Sequence, residues 1–273
     1  MKRSWTAQGA AAQRAVLTDL GVLRDTYART MLTPGMAATS RILGRLPRRA
    51  FRRSVTLAGA AGSILWIDRA VAMALDDGLR QVATVGASYD SRAWRFAREG
   101  VQFFELDHAA SQAAKRHAAP GPGPTYVEAD LRAGSAAESL LAAGLDPGSP
   151  AVVVVEAVTM YLTEDVVRHQ LEGLASSAAS GSRLVVNFLP AGRPLSAQTN
   201  RQLRLQRLAH IGTGEGFTFG IDPEDAVALV ESTGWSTREV AGFRDAAEAL
   251  VPPDAGLPVG DIDNRKIVIL AER

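Results

Sequence analysis

Three successive apolar runs in the sequence end in acid. Val101-Gln102-Phe103-Phe104-Glu105-Leu106 leads into Asp107, the run from Thr125 to Glu128 is followed by Asp130-Leu131, and Ala151-Val152-Val153-Val154-Val155 leads into Glu156. If these runs are parallel strands of an open sheet, their carboxyl ends lie along one edge, where such sheets bind ligands. A row of carboxylates there suits a ligand with an amine, a sulfonium and a ribose. Asp107 lies 21 residues after Gly86, close to the ~20-residue spacing of a ribose-binding acid. Glu105, on the same strand face, is its rival. Each acid taken singly also reads as a helix N-cap.

The turn Gly86-Ala87-Ser88-Tyr89-Asp90-Ser91-Arg92 carries only the first glycine of a G-x-G-x-x-G pattern. The missing glycines would admit a pyrophosphate to a helix N-terminus. A nicotinamide dinucleotide is therefore disfavoured, and a nucleoside without phosphates is compatible. His108, His117, His169 and His210 are scattered without ligand spacing, and there is no cysteine. No metal site, disulfide framework or thiol nucleophile is expected. His210 and Tyr161 are the candidate bases should the reaction need one.

The elements that would position these residues alternate. Gln81–Val85 reads as a strand, Asp90–Arg98 as a helix, Ala109–His117 as a helix and Glu164–Ser177 as a helix capped by Thr163. Arg183–Leu189, Trp235–Val240 and Lys266–Leu270 read as strands, and Asp222-Pro223 opens a helix with Pro at its first position. Alternation of this kind indicates an α/β, doubly wound sheet. Residues 1–78 read as a helical extension before a sheet domain over 79–273. Within the extension, Thr6 to Gly21, Leu23–Leu32 (stopped by Pro34-Gly35) and Ser63–Leu79 are expected to be helical. An insertion at about 190–220 could cover the cleft as a lid.

Apolar residues make up 47% of the 273 positions and charged residues 22%, enough for a large core. The net charge of +1 argues against a nucleic-acid binder. Arginine supplies 27 of the 30 basic residues. Arg201, Arg204 and Arg207 share one helical face. Arg41, Arg45, Arg48, Arg49, Arg52 and Arg53 form a denser cluster without an acid, which is either a solvated face or a dock for an acidic carrier protein. The apolar stretch Val55–Ile67 falls short of the ~18 residues a membrane span needs, so a cytoplasmic protein with no membrane association is expected.

Several segments together carry a resemblance. They are Gln81–Arg95 (QVATVGASYDSRAWR), Phe104-Glu105-Leu106-Asp107-His108 with Lys115, Tyr126-Val127 with Asp130-Leu131, and Glu156 with Met160-Tyr161-Leu162. Thr6-Ala7 with Arg14-Ala15 upstream and Gly234-Trp235 downstream belong to the same pattern. The sequence resembles the leucine carboxyl methyltransferase family of class I S-adenosylmethionine-dependent enzymes, and in particular its branch acting on polyketide and other natural-product carboxylates. The resemblance implies a Rossmann-like seven-stranded sheet whose last strand is antiparallel, with S-adenosyl-L-methionine as cofactor. It implies that Gly86 and Ser88 line the cofactor loop, Asp107 holds the ribose, Asp130 and Leu131 meet the adenine, and Glu156 lies by the methionyl part. Arg14 would meet the cofactor carboxylate.

The sequence departs from the family at three places. Ser88 and Ala157 stand where glycine is usual, and Ala61-Gly62-Ser63-Ile64 stands where many members have an arginine. The reaction implied is methyl esterification of a small natural-product acid, whose carboxylate is already ionised at neutral pH and needs no general base. Alternatives are a phenol or alcohol acceptor served by His210 or Tyr161, and a cofactor-degenerate binding protein.

Overall fold

A computed structural model describes residues 5–192 and 217–273. Seven strands form one sheet: β1 (Gln81–Val85), β2 (Gln102–Asp107), β3 (Thr125–Glu128), β4 (Ala151–Val155), β5 (Arg183–Phe188), β6 (Ser236–Gly242) and β7 (Ile267–Glu272). Their order is β3-β2-β1-β4-β5-β7-β6. The first five run parallel, and β7 enters antiparallel between β5 and β6. The order reverses between β1 and β4, so the crevice beyond their carboxyl ends is the switch point where ligands of such sheets bind.

Both β1 and β4 are buried at every residue. In β4, Val152 and Val154 join one apolar cluster and Val153 and Val155 join the other. This is the period-two alternation of a strand covered on both faces. The first cluster lies under α1 (Trp5–Asp19), α3 (Val55–Asp76) and α9 (Phe243–Leu250). The second lies under α6 (Ala136–Ala142), α7 (Glu164–Ser177) and α8 (Pro223–Ser232). Because α1 and α3 pack into the same cluster as β1, β4, β5 and β7, residues on both sides of position 78 share one core.

The helical extension differs from its sequence reading. α3 begins at Val55, not Ser63, and is 22 residues long. It is long and apolar enough to cross a membrane, but 72% of its most apolar window is buried in the protein. Gly62 explains its close crossing with α9: a Cβ there would lie 2.6 Å from the Phe243 carbonyl oxygen and 2.9 Å from Ala247. Leu23–Leu32 is not a helix; it forms turns around buried Asp25. Pro34-Gly35 starts α2 (Pro34–Gly44) instead of stopping a helix, with Pro in the first turn, where its missing N–H has no bond to lose.

The expected helix over Asp90–Arg98 is a single turn, α4 (Arg92–Arg95), while α5 (Ala109–Ala118) follows the reading closely. Of the expected lid, positions 193–216 lie outside the described residues, and with them Arg201, Arg204, Arg207 and His210.

Candidate functional site

The carboxyl ends of β1, β2 and β4 converge at the switch point, and polar side chains hold the loops that leave them. After β1 the chain turns at Gly86, with φ of +72°. A side chain at Gly86 would also collide with Val158. The amide N–H groups of Gly86 and Ala87 both donate to the Leu106 carbonyl (2.7 and 3.0 Å), which folds this loop across β2.

Asp107 ends β2 and is half-buried. Its Oδ2 accepts the Ser88 N–H at 2.5 Å and its Oδ1 accepts the His108 N–H at 2.6 Å. Each oxygen spends one lone pair on the backbone, so the carboxylate is fixed in orientation and retains acceptor capacity for a diol. Glu105, its rival, is removed from consideration as a ribose ligand. It is 2% exposed and paired with Lys115, itself 1% exposed, from α5. Burial pushes the Glu105 carboxyl up to about 7, against the pull of Lys115. Its Oε1 has no hydrogen-bond partner among the described residues.

Glu156 follows β4 and is the most exposed acid of a larger network. Arg92 places its Nη1 2.7 Å from Glu156 Oε2 and also bonds Asp90 Oδ2. Its Nε bonds Asp68 Oδ1 at 2.8 Å. Arg95 shares Asp68 at 2.5 Å and approaches Asp25 at 3.9 Å, and Arg14 bonds Asp25 at 2.9 Å. Burial alone would raise the Asp90 carboxyl, but Arg92, aided by Lys115, Arg14 and Arg95, holds it well below the usual carboxylate range. Asp90 and Arg92 are thus an internal ion pair. Arg92 stays protonated despite its burial because Asp90, Glu156 and Asp68 surround it.

The loop carrying Glu156 bends through Ala157, whose φ is +55°. Asn187 of β5 accepts the Ala157 N–H at 2.8 Å on its side chain, while its carbonyl accepts the Thr159 hydroxyl at 2.9 Å. Asp130 is exposed and accepts the Arg132 N–H at 2.9 Å. The Asp130–Leu131 loop is fixed from α7 by buried Gln170, which donates to the Leu131 and Gly134 carbonyls at 2.8 and 2.7 Å. Tyr161 is half-buried beside Phe217, ring centroids 5.3 Å apart, and its carbonyl accepts from Arg132 at 3.1 Å.

Arg14 reaches the same region from α1. Its Nη2 donates to the Tyr89 carbonyl in the loop after β1. The segment Ala61–Ile64, which lacks the expected arginine, is buried throughout.

The candidate residues Gly86, Ser88, Asp107, Asp130, Leu131, Glu156 and Arg14 therefore occupy the strand-end loops or contact them. Asp25, Asp68, Gln170 and Asn187 escaped the sequence reading. Asn187 had one visible signal, as the lone amide in the apolar run Arg183–Phe188, and Gln170 lies on the buried face of an otherwise regular helix.

Four carboxylates (Asp25, Asp68, Asp90, Glu156) meet three guanidiniums (Arg14, Arg92, Arg95) in this network. By formal count the carboxylates exceed the guanidiniums by one, although each carboxylate has an arginine partner. Glu156 has 20% of its side chain exposed, against 0, 11 and 9% for Asp25, Asp68 and Asp90. Glu156 is thus the acid of this network most open to solvent, at the carboxyl end of β4.

Among solved structures, a DUF574 family protein from Streptomyces avermitilis superposes with a TM-score of 0.58 at 17% identity, covering 96% of both chains. A Thermobifida fusca protein titled as a candidate methyltransferase has a TM-score of 0.58 at 18% identity, covering 96% of this chain and 94% of that one. Both share this fold. In sequence, a Frankia alni protein named as a candidate S-adenosyl-L-methionine-dependent methyltransferase is 31% identical over 195 residues, 69% of this chain and 65% of that protein. A similarly named Mycobacterium leprae protein is 29% identical over 194 residues, 66% of this chain and 62% of its own length. The match therefore spans just under two thirds of the length of these relatives. The leucine carboxyl methyltransferase family matches residues 6–175, more than half of the sequence, so the chain belongs to the leucine carboxyl methyltransferase family.

Proposed function

We propose that the protein is an S-adenosyl-L-methionine-dependent O-methyltransferase that esterifies the carboxylate of a small natural-product acid, polyketide-like in chemistry. The observation that carries this reading is the arrangement at the strand ends. A carboxylate oriented by two backbone N–H groups stands at β2, and Glu156, paired with Arg92 yet the most exposed acid of its network, stands at β4. These are the acceptors a ribose diol and a sulfonium–ammonium ligand require. The cofactor, when bound, supplies an electrophilic methyl group on sulfur.

The chain's own residues bind and align. Asp107 would accept the ribose hydroxyls, Gly86 and Ser88 would bring backbone against the nucleoside, and Leu131 with Asp130 would border the base. Glu156 would face the methionyl ammonium and Arg14 its carboxylate. An acceptor carboxylate is ionised at pH 7, so no side chain need remove its proton, and the rate comes from alignment and exclusion of water. This places no catalytic demand on Tyr161 or His210.

Calorimetry with S-adenosylhomocysteine tests the cofactor half of the reading. Binding is expected, and Asp107→Ala should weaken it by about ten- to a hundredfold, the loss of one or two hydrogen bonds to a charged group. No binding at millimolar ligand, by wild type or variant, would refute it. Methyl-labelled product formed from carboxylic acids tests the other half: a methyl ester is cleaved by mild base, whereas an ether from a phenol or alcohol survives.

A further inference from the structure

The segment between Asp25 and Asp68 contains seven arginines, no lysine and no acid. The chain's total of +1 thus divides into +7 on this segment and −6 on the rest. Two of the arginines have carboxylate partners, Arg29 with Asp19 and Arg48 with Asp254. Arg41, Arg45, Arg49 and Arg52 are exposed and form no ion pair among the described residues. Beside them Ile42, Leu43 and Leu46 are 65, 42 and 41% exposed. A solvated basic face would not need three aliphatic side chains in water.

The pattern on α2 is ordered. Ala37 and Ser40 are buried, and Gly44 lies so close to Asp19 that a side chain there would overlap it. That face is fixed against α1, and Arg29 bridges Asp19 and Ser40 across the same seam. Ile42 then projects on the opposite side of α2, with Arg41 on one flank and Leu43 on the other, and the exposed Arg45 and Leu46 follow directly at and after the helix C-cap.

We propose that this ridge is a docking surface for an acidic protein partner presenting an apolar stripe edged by carboxylates. Charge complementarity selects the sign, and the aliphatic row supplies the buried centre. Guanidinium can bind carboxylates bidentately, which suits a partner edged with carboxylates. A lipid surface fits less well, because a helix lying flat in a bilayer interface carries basic residues along both flanks of its apolar row. This inference is independent of the methyl acceptor and of cofactor binding.

The test is fluorescence anisotropy of the full chain with a labelled amphipathic helix bearing leucines at i, i+4 edged by glutamates. A helix of the same pattern with lysine for glutamate is the control. The acidic helix should bind and the basic one should not, with affinity falling as salt is raised. Arg41→Glu with Arg45→Glu, and separately Ile42→Ser with Leu46→Ser, should each weaken binding about tenfold or more. Arg41→Lys with Arg45→Lys should retain part of it. All substituted side chains are exposed, so the melting temperature should be unchanged. Equal binding of the two helices, no binding, or indifference to the substitutions would overturn the proposal. So would binding to phosphatidylglycerol vesicles without binding to the acidic helix.

Discussion

Ser88 and Ala157 are the only non-glycine residues among those described with positive φ, at +47° and +55°, and they stand at the ends of adjacent strands β1 and β4. Both turns are tight because the loops must expose backbone at the cleft, and glycine adopts this conformation without a Cβ clash. Both positions where the resemblance leads one to expect glycine thus fall where the backbone is left-handed. A left-handed non-glycine residue costs about 1–2 kcal/mol, against about 0.5–1 kcal/mol for the extra unfolded-state freedom of glycine. Ser88→Gly and Ala157→Gly should therefore each stabilise the protein by about 0.5–1 kcal/mol, read as a shift of the urea midpoint at unchanged slope. A loss of stability at both positions would show that the surroundings, not the backbone, select Ser and Ala.

At the scale of elements, β2 and α5 are joined by the buried Glu105–Lys115 pair, with Tyr126 of β3 opposite Glu105. Burial and the Glu105 charge push the Tyr126 hydroxyl up to about 12. The Glu105 carboxyl, raised to about 7 in the folded protein, keeps its proton longer there than in the unfolded chain. Its contribution to stability is complete below the ordinary carboxylate pKa, declines as pH rises to about 7, and is level above. Replacing both partners, Glu105→Gln with Lys115→Met, should flatten the pH dependence of the urea midpoint between about pH 5 and 7. An unchanged slope would mean that Glu105 stays ionised in the fold.

Elements of this kind were legible in unequal measure. The apolar strands and α7 announce themselves through periodicity; Thr163 does sit at the start of α7, but its side chain makes no capping hydrogen bond. Leu23–Leu32 misleads because its apolar residues have helical spacing while Asp25 captures the Tyr27 and Ala28 N–H groups for a turn. The strand-end acids could be read from position alone. Separating Asp107 from Glu105 required knowing that Lys115, ten residues on, folds back over the strand.

On the scale of the whole molecule, Asp25 joins the N-terminal segment to the sheet. Its side chain is wholly buried and accepts from Arg14 Nε, the Ser91 hydroxyl at 2.7 Å and two backbone N–H groups, with Arg95 at 3.9 Å. The Ser91 contact reaches the start of α4, and Arg14 in turn holds the Tyr89 carbonyl, so the N-terminal segment is tied to the loop after β1. The apolar cluster shared by α1, α3 and four strands of the sheet has the same effect. Amides of α1 should then exchange hydrogen only through the global opening that exposes β4. Asp25→Asn keeps the size and the acceptor oxygen but takes the ion-pair partner from Arg14, while Arg95 keeps Asp68. Removing one partner of a buried ion pair costs about 3–5 kcal/mol, and here that loss falls on the junction. In Asp25→Asn, α1 and the turns around position 25 should exchange well before β4, and affinity for S-adenosylhomocysteine should fall with them. Uniform acceleration of α1 and β4 would instead mark Asp25 as a residue of general stability with no coupling role.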